Sequence, residues 1–341
     1  MIESLYVGVF LIAFSVVIVL TPLMRKIALT LNIMDHPSSP VKTHKHPTPY
    51  LGGMAIFLGI VTALLTARFF THFPTGTLRS LRGILTGATF VVAVGLLDDL
   101  KPGGLRFQWK FLFQFVAAFL LLLFDVRIKF IQPVWLADLL TVVWVVGVTN
   151  AFNIIDIKDG LAASQAFMAS LGFLFISLPT EEIYVNFAAA AAAGAAVAFI
   201  PYNMSGRMKI FMGDTGSLML GFCMAALSMG TSYTHVNEIG VFAPLLILGL
   251  PLYDTLFVSF LRIKQGKSPF LGSKDHLALK LEALGLTSRQ LVAALATVAA
   301  LFSTAAYCVT WWPLHISLFV FAVAIAIGVY VVMKLQKVVV P

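Results

Sequence analysis

Long apolar runs separated by short polar stretches fill the chain from end to end. Eleven stand out: Leu5–Met24, Leu51–Phe70, Leu81–Leu97, Phe107–Phe124, Val134–Val148, Leu161–Leu178, Tyr184–Ile200, Thr215–Met229, Ile239–Leu261, Leu291–Val309 and Leu314–Met333. A helix needs about 20 apolar residues to cross a bilayer, fewer where one end is buried in protein. The pattern therefore predicts an all-α polytopic membrane protein with about eleven transmembrane helices. The fifth and eighth runs are the shortest. No long polar segment could form a soluble domain, so residues 1–341 read as one integral membrane domain.

The polar stretches carry the orientation. Eleven spans put residues 25–50, 98–110, 149–160, 201–213, 262–290 and the C-terminus on one side. That side holds 18 of the 23 Lys and Arg residues, against Arg68, Arg79, Arg82, Arg127 and Lys129 on the other. Basic loops stay cytoplasmic, which predicts an outside N-terminus and a cytoplasmic C-terminus. Composition agrees with the class: 60% of residues are hydrophobic and 11% charged, against about 25% charged in soluble domains. Cys223 and Cys308 both lie in apolar runs and read as small hydrophobes. The first run has no basic segment before it and no small-residue cleavage site after it, so it reads as a retained helix. The outer loops keep Glu181-Glu182 and scattered charges, and are mostly too short to form a site.

Six of the 15 acidic residues lie at or near the cytoplasmic ends of apolar runs: Asp98, Asp99, Asp156, Asp159, Asp214 and Asp254. A carboxylate at a helix centre in lipid costs roughly 2.5–3.5 kcal/mol. Such a gathering beside basic loops points to a divalent cation and a phosphate. Asp98-Asp99 ends the third run and is followed by Leu100-Lys101-Pro102-Gly103-Gly104. Pro and Gly explain the stop, but two acids at a helix C-terminus oppose its dipole. Asn150, Asn153, Asp156 and Asp159 crowd the link between the fifth and sixth runs. On a helical turn Asp156 and Asp159 share a face, while Asp159 could equally be an N-cap. Phe211-Met212-Gly213-Asp214-Thr215-Gly216-Ser217 opens the eighth run, where free N–H groups suit phosphate; Asp214 could also be only a cap. Asp254, after Pro251, is an ionisable group inside a span, which is a functional candidate by default. Two basic segments complete the cytoplasmic face: Lys42–Gly53, with His44 and His46, and Arg262–Lys280, with Lys264, Lys267, Lys274 and His276.

These motifs, in this order, resemble the polyprenyl-phosphate N-acetylhexosamine-1-phosphate transferases. They are Lys42-x-His44-x-x-Pro47-Thr48-Pro49-x-x-Gly52-Gly53, Asp98-Asp99 with Lys101, Asn150-x-x-Asn153-x-x-Asp156-x-x-Asp159-Gly160, Phe211-Met212-Gly213-Asp214-x-Gly216-Ser217, intramembrane Asp254, and Gly266-Lys267-Ser268-Pro269-Phe270 leading to Asp275-His276. The likeness is closer to the WecA/TagO-like branch than to the MraY-like branch. It implies transfer of a sugar-1-phosphate from a UDP-sugar to a polyprenyl phosphate, giving a polyprenyl-diphosphate sugar and UMP. That reaction is a first membrane step of cell-envelope polysaccharide synthesis at the bacterial inner membrane. It implies Mg²⁺, with Mn²⁺ as a substitute. By the same resemblance Asp98 and Asp99 are the catalytic pair, joined by Asp156 and Asp159. Asp214 is the metal ligand, with Asp99 beside it. Phe211 stacks on uracil, Asn153 and Asp156 contact the nucleotide sugar, and Lys42, His44 and His276 contact phosphate or sugar. Asp254, Lys101 and Lys267 are further candidates. A homodimer is compatible with the family; no nucleic-acid partner is implied.

Three positions depart from the family pattern. Asp-Gly-Ile-Asp-Gly becomes Asp156-Ile157-Lys158-Asp159-Gly160, a histidine cluster is reduced to His276, and Ser205–Lys209 replaces a stretch where Pro-Ala is common. Three other readings stand beside N-acetylglucosamine-1-phosphate transfer: a phospho-N-acetylmuramoyl-pentapeptide transferase-like activity, a transporter, and a non-catalytic scaffold. Transporters place ionisable groups at the midplane and show repeats; here the acids sit at one interface and no repeat occurs.

Overall fold

The computed structural model describes residues 2–37, 46–180, 183–269 and 272–340. Among them the chain forms thirteen α-helices: α1 (Ile2–Thr30), α2 (Gly52–Phe70), α3 (Thr75–Leu100), α4 (Phe107–Leu123), α5 (Val134–Ile155), α6 (Leu161–Ser177), α7 (Ile183–Asn203), α8 (Gly213–Ser228), α9 (Ala243–Ile247), α10 (Gly249–Lys264), α11 (Leu277–Ala283), α12 (Ser288–Trp311) and α13 (Leu314–Leu335). The protein is all-α and polytopic. Seven helices, α1, α2, α3, α5, α7, α12 and α13, are long and apolar enough to cross a membrane, and α4 and α6 are shorter apolar helices. Each of the eleven apolar runs became helix, and the ninth became two.

The ninth run breaks at Leu248. α9 and α10 meet there at 70°. The cause is local: Pro251 falls in the first turn of α10, where its missing N–H costs nothing, but it cannot continue a helix begun upstream. A continuous Ile239–Leu261 span was expected; a broken pair is found. α11 lies in a segment read as loop. Its seven residues bury Leu277, Ala278, Leu279 and Lys280.

Burial ranks the helices. In the most apolar window of α7, 83% of residues are buried, against 6% in α13; α7 is central and α13 peripheral. Every residue of α8 from Thr215 to Ser228 is buried. Small residues allow this, because without side chains backbones approach closely. A Cβ on Gly95 of α3 would stand 2.6 Å from the Thr215 Cα, and one on Gly216 would stand 2.9 Å from the Gly53 Cα of α2. The core helix α8 therefore opens its N-terminus between the ends of α2 and α3.

Polar ties join the loops end by end. Arg25 donates to the carbonyls of Lys209 and Arg207 at 3.2 Å each. Phe211 N–H donates to Pro49 O at 2.9 Å, while Gly52 and Gly53 N–H donate to Phe211 O and Met212 O at 2.9 and 3.0 Å. Met34-Asp35 pairs antiparallel with Thr48-Pro49. These segments were all assigned by sequence to the basic side. At the other end Arg127 pairs with Asp138 at 2.6 Å and Arg79 donates to Leu123 O at 3.4 Å.

Candidate active site

Asp98 and Asp99 occupy the last turn of α3, and Asp214 the first turn of α8. The α3–α8 crossing brings one oxygen from each within 4.8 Å of the others. Two unit charges at that distance repel by about 3 kcal/mol at an effective dielectric of 20. Two devices offset the repulsion.

The first is the N-terminus of α8. Asp99 accepts the Asp214 N–H at 2.9 Å, the Thr215 N–H at 3.1 Å and the Thr215 hydroxyl at 2.6 Å. A charge that opposes the dipole of its own helix thus caps the free donors of another. Oδ2 accepts two of these bonds and Oδ1 one, so a lone pair stays free on Oδ1. Gly213 has φ +66° and a Cβ there would strike the Asp99 carboxylate, so the approach requires glycine. The N-cap position of α8 is Met212; Asp214 is a first-turn residue and not the cap.

The second device is Lys110 of α4. Its Nζ lies 3.0 Å from Asp98 Oδ2 and bonds Asp214 Oδ2 directly. A cation therefore stands between two of the three carboxylates. Asp98 also accepts the Leu105 N–H at 2.6 Å, across a turn whose Gly103 and Gly104 have φ +80° and +70°. Asn153 of α5 donates to Asp214 Oδ1 at 2.9 Å and to Ser217 Oγ at 3.0 Å. Asp214 is thus held from α4 and α5 at once.

Asp156 and Asp159 do not share a helical face. α5 ends at Ile155, and α6 starts after Gly160, which has φ +80°. The link between them is a turn, so helical spacing does not set their side chains. Asp159 pairs with Lys209 at 2.6 Å, and the N-cap position of α6 is Gly160, not Asp159. Asp156 has no hydrogen bond or ion pair with a described residue. Burial and the charges of Asp214, Asp159 and Asp99 push its carboxyl up to about 8.

Lys209 Nζ also stands 5.1 Å from the centre of the Phe211 ring. Tyr50 lies 6.4 Å from the same ring. Burial and a hydrogen bond to Asp35 raise the Tyr50 hydroxyl above its ordinary range.

Asp254 and His276 form a second buried group. His276 Nδ1 is 2.8 Å from Asp254 Oδ2, and Asp254 Oδ1 accepts the Leu277 N–H at 2.7 Å. Asp254 thus fixes one ring nitrogen of His276 and the start of α11. Lys101 is exposed and pairs with no described residue, and exposed Lys267 donates to Gln265 at 2.9 Å. The structure does not join either lysine to the acids. Lys42 and His44 lie outside the described residues.

The reading from sequence missed Lys110, Thr215 and Ser217. Lys110 had a signal: it is the lone charge in the run Phe107–Phe124, and a charge within a span is costly unless paired.

Three carboxylates with a cation among them, at the buried mouth of a helix N-terminus, form an all-oxygen donor set. The pattern of the family described as glycosyl transferase family 4 matches residues 81–232, which contain Asp98, Asp99, Lys110, Asn153 and Asp214. Over 325 residues, 93% of this chain and 88% of the relative, the chain is 30% identical to the probable undecaprenyl-phosphate N-acetylglucosaminyl 1-phosphate transferase of Bacillus subtilis. The chain belongs to the polyprenyl-phosphate N-acetylhexosamine-1-phosphate transferase family. It is 30% identical over 73% of its length to the decaprenyl-phosphate N-acetylglucosaminephosphotransferase of Mycobacterium tuberculosis, covering 69% of that protein. A phospho-N-acetylmuramoyl-pentapeptide-transferase of Prochlorococcus marinus is 29% identical over 82% of the chain and 84% of its own length. Both branches of the family are therefore represented among its relatives.

Proposed function

We propose that this protein transfers N-acetylglucosamine-1-phosphate from UDP-N-acetylglucosamine to a polyprenyl phosphate, with Mg²⁺ bound, at the cytoplasmic face of the bacterial inner membrane. The observation that carries the reading is the convergence of Asp98, Asp99 and Asp214 around Lys110. The names of the Bacillus and Mycobacterium relatives favour the same sugar. On the orientation expected from the loop charges, with the N-terminus outside, this cluster would face the side where a membrane lipid phosphate and a soluble nucleotide can meet.

The donor set fits a hard divalent cation, which takes carboxylate oxygens. Asp214 and the free lone pair of Asp99 would hold it, with Asp98 next to them. A Mg²⁺ held there would supply charge to neutralise the diphosphate and ease the departure of UMP. Asp98 is our base: it takes the proton from the lipid phosphate. The lipid phosphate oxygen then forms a bond to the sugar-linked phosphorus as the bond from that phosphorus to the bridging oxygen of UMP breaks. Lys110, beside Asp98 and Asp214, is placed to accompany the charge that moves between them. Asn153 keeps Asp214 oriented. Phe211 offers a ring to uracil, and His276, oriented by Asp254, contacts phosphate or sugar. Asp156 and Asp159 complete the polar link. A two-step route through an aspartyl phosphate is the alternative.

The test uses purified protein, a short polyprenyl phosphate, Mg²⁺ and radiolabelled UDP-N-acetylglucosamine. Label is expected in the organic phase with release of one UMP per transfer. Label that stays aqueous with every UDP-sugar tried overturns the reading. The Prochlorococcus relative makes a UDP-N-acetylmuramoyl-pentapeptide arm necessary; preference for that donor moves the protein to the other branch. Exchange of labelled UMP into UDP-sugar without lipid phosphate would exclude direct attack.

A further inference from the structure

The link between α5 and α6 carries Lys158, in a stretch that departs from the family pattern. A lysine two residues from Asp156 is its obvious counter-ion. It is not used that way: Lys158 Nζ pairs with Glu282 Oε2 at 2.6 Å, with side-chain exposures of 12% and 36%. Glu282 belongs to α11, the short helix that follows His276. That helix has other polar anchors, among them the Ser288 hydroxyl, which donates to Glu282 Oε1 at 3.2 Å. Asp254 holds His276 and the Leu277 N–H at its start, and buried Lys280 donates to Val338 O at 2.7 Å. The acidic link is itself pinned on its other flank, where Asn203 Oδ1 accepts the Gly160 N–H at 2.5 Å and Lys209 pairs with Asp159. Lys158–Glu282 is the ion pair that joins these two anchored pieces.

We propose that Lys158 and Glu282 form a clasp that fixes α11, and with it His276, to the acidic link, and that both are positioning residues for nucleotide-sugar binding. The clasp rests on the transferase reading above. A single ion pair at the rim of the fold, with Glu282 about a third exposed, adds modestly to global stability, so its effect is local.

The experiment compares wild type with K158A, E282A, K158A/E282A and the reversed pair K158E/E282K, in the full-length protein. Each single variant is expected to raise KM for UDP-N-acetylglucosamine about 3- to 5-fold, the effect of losing one modest ion pair. Turnover stays within about twofold and KM for the lipid phosphate stays unchanged, since only α11 is released. The double alanine variant matches the singles, and the reversed pair recovers most of the loss. Calorimetric binding of UDP-N-acetylglucosamine to the same proteins shows the same ordering, and it decides the matter even where turnover is absent. Three results overturn the clasp: no change in either single variant, a joint fall of kcat and rise of both KM values with a lower Tm, or an E282A defect that K158A relieves. The last would mean that Glu282 only keeps Lys158 away from Asp156. Wild-type transfer with unaffected variants sinks the clasp alone; a wild type that binds no UDP-sugar sinks the transferase reading with it.

Discussion

Asp99 accepts both the backbone N–H and the hydroxyl of Thr215, at 3.1 and 2.6 Å, across the α3–α8 crossing. This relationship separates two neighbouring aspartates by task. Asp99 is a cap for a buried helix start, and Asp98 keeps its charge for Lys110. Asp99→Ala removes three acceptor contacts from a part-buried helix start, and should cost about 2 kcal/mol. Thermal unfolding in detergent should show a Tm several degrees lower. Asp98→Asn keeps an oxygen for Leu105 and relieves repulsion, so its Tm should not fall. Transfer by Asp98→Asn should drop about 10²–10⁴-fold, the range for loss of a general base. Equal Tm losses in the two variants would contradict the division.

Lys110 stands between Asp98 and Asp214, in the space a divalent cation would share. Removing it leaves the carboxylates free for an ion but deprives the reaction of a moving counter-charge. Lys110→Met should therefore bind Mn²⁺ at least about tenfold more tightly, because a unit charge this close is worth more than the corresponding 1.4 kcal/mol. The same variant should turn over more slowly. Paramagnetic resonance titration of free Mn²⁺ measures the first effect without substrate. Unchanged or weaker Mn²⁺ binding would refute the competition.

Much of the fold was legible because a bilayer allows few solutions. The starts of α4, α6 and α13 at Phe107, Leu161 and Leu314 coincide with the ends of polar stretches, where the apolar runs begin. The break at Leu248 was not legible, since a proline in a first turn and a proline that splits a span look alike in composition. α11 was too short for its periodicity to register. At the site, the acids could be gathered from their common side of the membrane. Their separate roles could not, because which donor faces Asp99 depends on the approach that Gly95 and Gly213 permit. Lys110 was lost among loop lysines that the orientation rule already explained. Lys101 and Lys267 were included for their position in motifs, and neither has a partner among the acids.

The Asp254–His276 pair predicts coupling. Asp254 fixes the ring through Nδ1 and anchors Leu277, so losing its charge should misorient the same imidazole that His276→Ala removes. Asp254→Asn and His276→Ala should each lower kcat/KM for the UDP-sugar by about 10- to 100-fold, the worth of one charge-assisted hydrogen bond. The double variant should be little worse than either. Additive losses would show that Asp254 acts somewhere other than through His276.

Asp156 predicts a pH dependence in the absence of divalent cations. Its carboxyl is raised from 3.8 to about 8 by burial and three neighbouring carboxylates. Below about pH 4 the folded and unfolded chains both hold the proton, and the group is neutral in the balance. Between about 4 and 8 the unfolded chain has released it and the folded chain has not, so stability falls as pH rises. Above about 8 the loss is complete. In EDTA, wild-type Tm should therefore decline between pH 5.5 and 8 relative to Asp156→Asn, which has no proton to release. Near pH 5 the two proteins should converge, and at pH 8 the variant should be the more stable. Mg²⁺ should shrink the gap at pH 8, because a cation near Asp214 and Asp99 offsets two of the charges that repel the Asp156 anion. Parallel Tm curves for the two proteins in EDTA would mean that Asp156 ionises freely in the folded state.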